Sequence, residues 1–180
     1  MSKRKAIIFV DGNNFYHNLK ATKINPRDIN FSKLSEFICL YYGLELKESR
    51  YYNSIPDISD GDTMYYKHMN FLNELRKQGI KVITRKLKKI PEKKIKIEKG
   101  VDVLIACDMI RKTIIDKDCE CCILISGDAD FIPSMEIIKK VKYEAITCSV
   151  SIGHDSELKE GKFRYLILKK EDIIKNCLKY

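Results

Sequence analysis

Three carboxylates follow directly on apolar segments of the chain, at positions where side-chain chemistry is common in α/β proteins. Asp11 follows the apolar residues 6–10, and Asp128 and Asp130 follow the apolar residues 123–125 after a short Ser-Gly turn. An unbroken apolar run bounded by turn residues is typical of a strand buried on both faces of a parallel sheet. Open α/β sheets bind their ligands at the carboxyl ends of such strands. The sequence therefore predicts a polar site at one edge of a sheet.

These carboxylates also have a purely structural interpretation. Asp is a good helix N-cap, and a carboxylate in the first turn of a helix interacts favourably with the helix dipole. The arrangement of buried strand, carboxylate, glycine and helix occurs around both Asp11 and Asp128, which favours a shared site over two separate caps. Asn14 has the same ambiguity, since it could cap the helix that begins near residue 13 or place an amide beside Asp11.

Two of the acids on the helix predicted for residues 101–117 can be separated by helix geometry. At about 100° per residue, Asp102 shares a stripe with Ile105 and Met109, so we expect it to face the packed side. Asp108 lies with Arg111 and is predicted to form a solvated ion pair. A carboxylate on an apolar stripe is costly unless a partner charge or a metal satisfies it. Asp102 is therefore the fourth candidate site residue.

The four acids predict a divalent cation. Asp11, Asp102, Asp128 and Asp130 cannot all ionise within a few ångströms of one another without a positive charge between them. Hard oxygen ligands select Mg²⁺ or Mn²⁺.

A basic segment at residues 85–99 carries most of the chain's net charge of +9. Alternation around Ile95 and Ile97 predicts that part of it forms a short ribbon. The segment could be a solvated connection, but its concentrated charge favours contacts with the phosphates of a nucleic acid. The lysines predicted to make these contacts are Lys86, Lys88, Lys89, Lys93, Lys94 and Lys96.

Length and composition set the broad class of protein. The chain has 180 residues, of which 44% are hydrophobic and 33% charged, as expected of a single globular domain with a sizeable core. Its apolar runs are too short to span a membrane or to form a signal peptide. Seven cysteines without a secretion signal predict reduced thiols and a cytoplasmic protein. Cys119 and Cys122 have a C-x-x-C spacing, but they enter a strand and are predicted to be core residues.

The order of the predicted elements indicates the architecture. Strands alternate with helices, which predicts an α/β three-layer sandwich with a mostly parallel central sheet. If the strands at residues 6–10 and 123–126 are neighbours, the crevice between them is a topological switch point where the acids converge. The chain is predicted to be one domain over residues 1–180. Residues 151–180 form a C-terminal extension packed on it, in which residues 163–168 could add an edge strand.

Three motifs resemble those of the LabA-like NYN domain, a family within the PIN-like nucleases. In order, they are Val10-Asp11-Gly12-Asn13-Asn14, Lys99-Gly100-Val101-Asp102-Val103 and Ser126-Gly127-Asp128-Ala129-Asp130-Phe131. The resemblance covers about residues 5–150. It implies a five-stranded parallel sheet in the order 3-2-1-4-5 and a Mg²⁺-dependent ribonuclease site. The implied catalytic and metal-site acids are Asp11, Asp102, Asp128 and Asp130, with Asn14 as the accompanying amide and Ser126 as support.

The predicted function is a Mg²⁺- or Mn²⁺-dependent ribonuclease that hydrolyses RNA phosphodiester bonds. The metal would activate water and the lysines would hold the RNA backbone. Two other classes stay open: a non-catalytic RNA-binding or regulatory module that retains the metal pocket, and a metal-dependent phosphotransfer enzyme. The phosphotransfer class fits less well, because a haloacid-dehalogenase-like site needs an Asp two residues after Asp11, where the chain has Asn13. Whether the protein forms a homo-oligomer is left open by the sequence.

Overall fold

A computed structural model describes the chain except for residues 1, 57, 59–60, 87, 91–94, 98–99, 151–152, 154, 161–162 and 180. The strands of the described residues are β1 (Lys5–Asp11), β2 (Glu45–Ile55), β3 (Lys81–Lys86), β4 (Lys88–Ile90), β5 (Ile95–Ile97), β6 (Cys121–Ile125), β7 (Glu144–Val150) and β8 (Arg164–Leu168). The helices are α1 (Gly12–Ala21), α2 (Phe31–Tyr41), α3 (Asp62–Lys77), α4 (Val101–Ile110), α5 (Ile132–Lys140), α6 (Ser156–Glu160) and α7 (Lys170–Asn176). A π-helical turn over Arg111–Ile115 continues α4.

The central sheet has six strands in the order β3-β2-β1-β6-β7-β8. Each neighbouring pair is parallel, and β1 pairs with β6 from Ala6 opposite Cys121 to Val10 opposite Ile125. The predicted adjacency of these two strands is confirmed. The expected five-strand order is also right for its five strands, and β8 adds a sixth by pairing with β7. The strand order reverses between β1 and β6, so this pair forms the switch point.

The side chains of the central strands alternate between two cores, as expected for a sheet covered on both faces. Ile8 and Ile123 pack in the core beneath α1 and α2, whereas Phe9 and Leu124 pack in the core beneath α4 and α5. These side chains have no more than trace exposure. The continuous apolar runs in the sequence are explained by this burial on both sides, and the three-layer prediction is confirmed.

The cysteines near β6 are core residues, as predicted. Cys119, Cys121 and Cys122 are buried free thiols. Burial raises the pKa of each of these thiols, so they are protonated at neutral pH. Among the described residues, no helix is long and apolar enough to cross a membrane.

A buried ion pair fixes α4 to the sheet and corrects the predicted orientation of two acids. Asp108, expected to be solvated, is only 6% exposed, whereas Asp102, expected to face the packed side, is exposed. Oδ2 of Asp108 accepts hydrogen bonds from Arg50 Nη2 at 3.1 Å and from Tyr52 Oη at 2.8 Å. Arg111 Nη2 donates to Oδ1 at 2.7 Å.

The correction has a clear physical reason. The buried stripe of α4 passes through Val101, Ile105 and Asp108, and Asp102 lies about 100° around the helix from Val101. Burying the Asp108 carboxylate is tolerated because β2 supplies Arg50, itself 3% exposed, as its charge partner. The sequence of the helix alone does not reveal this partner.

Asp108→Asn should lower the free energy of unfolding at pH 7 by about 3 kcal/mol, because the buried Arg50 loses this carboxylate. Burial would raise the pKa of Asp108, but hydrogen bonds from Arg111 and Tyr52 and the charge of Arg50 hold it below its ordinary value. The carboxylate therefore stabilises the fold fully above the unfolded pKa of about 3.9, and this contribution is lost as the pH falls through the folded pKa. Urea denaturation of both proteins from pH 7 to pH 3 measures the difference, which should shrink in acid.

Asp116→Asn is the matched control. Asp116 pairs with Lys112 at 2.7 Å near the surface of the same helical segment, and a surface pair of this kind is worth about 0–1 kcal/mol. A loss for Asp108→Asn no larger than that of this control would contradict the anchoring role of Asp108.

Candidate active site

The carboxylate of Asp11 joins the ends of the two central strands. Asp11 is the last residue of β1 and the N-cap of α1, and it is 4% exposed. Its Oδ1 accepts a hydrogen bond from the Asn14 backbone N at 3.1 Å. Its Oδ2 accepts one from Ser126 Oγ at 3.1 Å, immediately beyond β6. The same carboxylate therefore caps α1 and links the end of β1 to the residue after β6.

Ser126 connects Asp11, the turn after β6 and β7 through hydrogen bonds. Besides donating to Asp11, its Oγ accepts a hydrogen bond from the Asp128 backbone N at 3.2 Å. Its carbonyl accepts a hydrogen bond from Thr147 Oγ1 on β7 at 3.1 Å. Ser126 is 1% exposed, so it holds the turn after β6 from beneath.

Asp128 has the capping contact that the structural interpretation requires. Its Oδ1 accepts a hydrogen bond from the Asp130 backbone N at 2.9 Å, at the start of a 3₁₀ turn over Ala129–Phe131. This contact explains only one of the two carboxylate oxygens. Asp128 is half-buried and Asp130 is exposed.

Asn14 links α1 to the same turn. Its Oδ1 accepts hydrogen bonds from the Gly127 backbone N at 3.1 Å and from Asn18 Nδ2 at 2.8 Å. Gly12 permits the close start of α1, because a Cβ there would lie 2.5 Å from the Tyr51 ring and from the Tyr52 carbonyl oxygen. The first turn of α1 is thus fixed against β2 on one side and the β6 turn on the other.

A cleft of about 430 Å³ opens at this edge of the sheet. The residues that line it are Asp11, Asn13, Asn14, His17, Asn18, Asp102 and Asp128. It therefore contains three of the four predicted acids together with the predicted amide. Asp130 is not among the lining residues, and Ser126 lies beneath. We call this region the acidic cleft.

The sequence interpretation missed Asn13, His17 and Asn18. The available signal was the spacing of these residues from Asn14. His17 lies three residues after Asn14 and Asn18 lies four residues after it, so the three side chains share one face of α1. His17 has no metal-ligand spacing to another histidine, and its position in the cleft follows only from the fold.

The donors of the acidic cleft suit one kind of metal ion. Within the part of the chain that the structure describes, no group of three or more His, Cys, Asp or Glu side chains could hold an ion by itself. A closed four-carboxylate cage is therefore not assembled by these residues. Mg²⁺ typically uses one or two carboxylates and keeps several waters. One or two of the carboxylates of Asp11, Asp102 and Asp128, which all line the cleft, suit such a hydrated ion, whereas structural Zn²⁺ favours Cys and His ligands.

The basic segment begins at Arg85 and is followed by Gly100, two residues before Asp102 of the cleft. The predicted ribbon is confirmed, since β4 and β5 pair antiparallel with Lys89 opposite Lys96. Arg85 Nη1 donates to the Gly100 carbonyl at 3.2 Å and closes the base of the ribbon at the start of α4, next to Asp102.

Four of the six predicted phosphate-contacting lysines lie among the described residues. Lys86 is exposed at the end of β3, and the backbones of Lys88, Lys89 and Lys96 lie in β4 and β5. Lys93 and Lys94 lie outside the described residues.

The fold and cleft define an open parallel α/β protein with a polar site at its switch point. The NYN domain family model matches residues 5–166, and the chain belongs to this family. A solved structure of a protein of unknown function from Vibrio parahaemolyticus is similar, with 21% identity and a TM-score of 0.67 over 98% of this chain and 97% of that one. This likeness confirms the fold. The comparison with curated proteins finds no match. The NYN resemblance is thus confirmed, and the LabA-like subgroup stays a prediction.

Ser126→Ala should lower the free energy of unfolding by about 1–3 kcal/mol, because the buried Asp11 carboxylate loses a donor and the Asp128 amide loses an acceptor. Chemical denaturation in metal-free buffer measures the change. Ser32→Ala is the control, since Ser32 makes only a 3.4 Å surface contact with Glu36. Equal stability of the two variants would contradict the proposed role of Ser126 in holding Asp11 and the turn after β6.

Proposed function

We propose that this NYN domain is a Mg²⁺- or Mn²⁺-dependent ribonuclease of the LabA-like type, acting at the acidic cleft. The observation that carries the proposal is the convergence of three carboxylates and an amide oxygen in one cleft at the switch point of the sheet. Ligands of open α/β sheets bind at this position. Membership of the NYN family supports a nuclease-like fold for the chain.

The residues of the cleft have separate roles in this proposal. One or two carboxylates among Asp11, Asp102 and Asp128 would hold the divalent ion, and Asn14 would support them by holding the turn after β6 through its amide oxygen. Asp130 remains a candidate because it lies in the same turn as Asp128. The ion, when bound, supplies a water of lowered pKa and neutralises charge on the phosphoryl oxygens. Ser126 and the Asn14 backbone N orient Asp11 through hydrogen bonds to its two oxygens.

Phosphates of RNA need positive charge to approach such an acidic cleft. In the sequence the ribbon lies between Lys86 and Gly100, and Gly100 directly precedes the helix that carries Asp102. Its lysines would hold the RNA backbone on the rim, in contacts that carry no base information. This adjacency of acidic cleft and basic ribbon favours a polyanionic substrate over a small phosphorylated molecule.

Asp128→Asn should abolish metal-dependent cleavage of RNA while leaving the stability of the metal-free protein within about 0.5 kcal/mol of the wild type. The substitution keeps an oxygen that accepts the Asp130 backbone hydrogen bond, so it removes charge without removing the cap. The assay incubates mixed RNA and DNA substrates with Mg²⁺, with Mn²⁺ and with chelator, and denaturation measures the stability.

Asp172→Asn is the matched control, because Asp172 lies in the first turn of α7 and lines none of the described clefts. It should leave cleavage unchanged. If Asp128→Asn retains full cleavage, Asp128 is only a cap and the proposed site is wrong. If the wild type binds RNA and does not cleave it with either metal, the non-catalytic RNA-binding module becomes the better account.

Replacing Lys86, Lys88 and Lys89 together by Gln should weaken RNA binding to a similar extent for all sequences. It should also reduce the slope of log K against log salt by roughly 0.7 for each lost phosphate contact with single-stranded RNA. Fluorescence anisotropy over a salt series measures both quantities. An unchanged slope would identify the ribbon as a solvated connection.

A further inference from the structure

A second cleft adjoins the acidic cleft and has the opposite electrostatic character. It has a volume of about 580 Å³, and α1 and α3 contribute most of its lining. Asn13 and His17 line both clefts, so the two are contiguous. None of the described residues that line the second cleft is acidic, whereas Arg27 and Lys67 both line it. We call it the α1–α3 cleft.

Its two cations are available to an anion. Arg27 and Lys67 are exposed, and the ion pairs found among the described residues involve neither of them. Lys20 adds charge nearby, because its Nζ lies 5.3 Å from the centroid of the Tyr16 ring, which lines the cleft. The α1–α3 cleft therefore offers positive charge to a phosphate chain directly beside the acidic cleft.

The same cleft presents flat and polarizable surface. Tyr16 on α1 is 36% exposed and Met64 on α3 is 63% exposed, and both line the cleft. Exposed aromatic rings flanked by cations are the usual stacking platform for bases of single-stranded nucleic acid. The volume is also within the usual range of about 300–1,000 Å³ for small-ligand sites, so a nucleotide can be accommodated.

One polar atom of the cleft has an unmet hydrogen bond. Nε2 of His68 is buried and has no hydrogen-bond partner within the described part of the chain. Burial lowers the pKa of His68, so its ring is neutral at pH 7. A buried polar atom of this kind is costly unless a partner is provided. Because His68 also lines the cleft, this wall favours a polar ligand over an apolar one.

We propose that the α1–α3 cleft binds the nucleotide adjacent to the reacting phosphodiester of single-stranded RNA, with its base against Tyr16 and its phosphate beside Arg27 and Lys67. The proposal rests on the proposed ribonuclease function, since it names a substrate subsite for that activity. It also implies a preference for unpaired RNA, because a base stacked within a duplex cannot lie against a protein ring.

The test measures binding without cleavage. The full chain carrying Asp128→Asn is titrated against two fluorescently labelled probes, hexauridylate and the corresponding fully abasic ribose-phosphate hexamer, by anisotropy at low salt. In this background, Tyr16→Ala should weaken hexauridylate binding about fivefold or more and leave the abasic probe unaffected. Lys67→Gln should weaken both probes, because it removes a phosphate contact.

Control variants separate stacking from loss of structure. Tyr16→Phe keeps the ring and should bind hexauridylate as the parent does. Tyr41→Ala removes a tyrosine that is 62% exposed and packs edge-on against Tyr42, much as Tyr16 packs against His17, and it should bind both probes normally. Lys140→Gln, on α5, should likewise change neither affinity.

The outcomes distinguish this subsite from the proposed function. If Tyr16→Ala affects neither probe, or weakens both equally, the subsite is overturned even where the wild type cleaves RNA. If hexauridylate binding depends on Tyr16 but the wild type cleaves no RNA, the result supports the nucleotide subsite and contradicts the proposed ribonuclease activity. If the Asp128→Asn parent binds neither probe, the subsite is overturned.

Discussion

The buried carboxylate of Asp11 is the constraint on which the site depends. A carboxylate that is 4% exposed must be satisfied by hydrogen bonds, and two of its donors come from the first turn of α1 and from the residue after β6. Those donors meet only if β1 and β6 are neighbours. The strand pairing that forms the switch point therefore also supplies a hydrogen-bond donor that lets the Asp11 carboxylate be buried. Fold and site share one requirement.

A second buried charge, Asp108, positions α4, which contributes Asp102 to the acidic cleft. Asp108 holds α4 against β2 through Arg50 and Tyr52, and Arg85 holds the Gly100 carbonyl at the start of the same helix. With its body and its first turn both fixed, α4 presents Asp102 to the cleft as an exposed residue. Solvent access at Asp102 is consistent with a hydrated ion.

Much of this arrangement could be predicted from the sequence because it depends on local patterns. The runs at β1 and β6 are continuous and apolar since both faces of these strands are covered. Asp11 follows the first run directly, and Asp128 follows the second after the Ser-Gly turn. The roles of Asp102 and Asp108 could not be assigned in this way. The burial of Asp108 depends on Arg50, 58 residues earlier in the chain, and helix periodicity carries no information about such a partner.

The cleft residues on α1 and α3 that the sequence did not indicate have a similar explanation. His17 on α1 and Lys67 on α3 are ordinary polar residues of helix surfaces, and only packing brings their helices to the same cleft. For the sixth strand, β8, the sequence predicted only that residues 163–168 could add an edge strand. Its place was decided by pairing with β7.

The central claim is that the acidic cleft binds a divalent cation for work on RNA. Titration of Mn²⁺ followed by electron paramagnetic resonance tests it most directly, because free Mn²⁺ gives a signal that is lost on binding. The account predicts one site in the wild type that keeps part of its water shell and that is weakened about tenfold or more by Asp128→Asn. Equal Mn²⁺ binding by the two proteins, or no binding by the wild type, would contradict it.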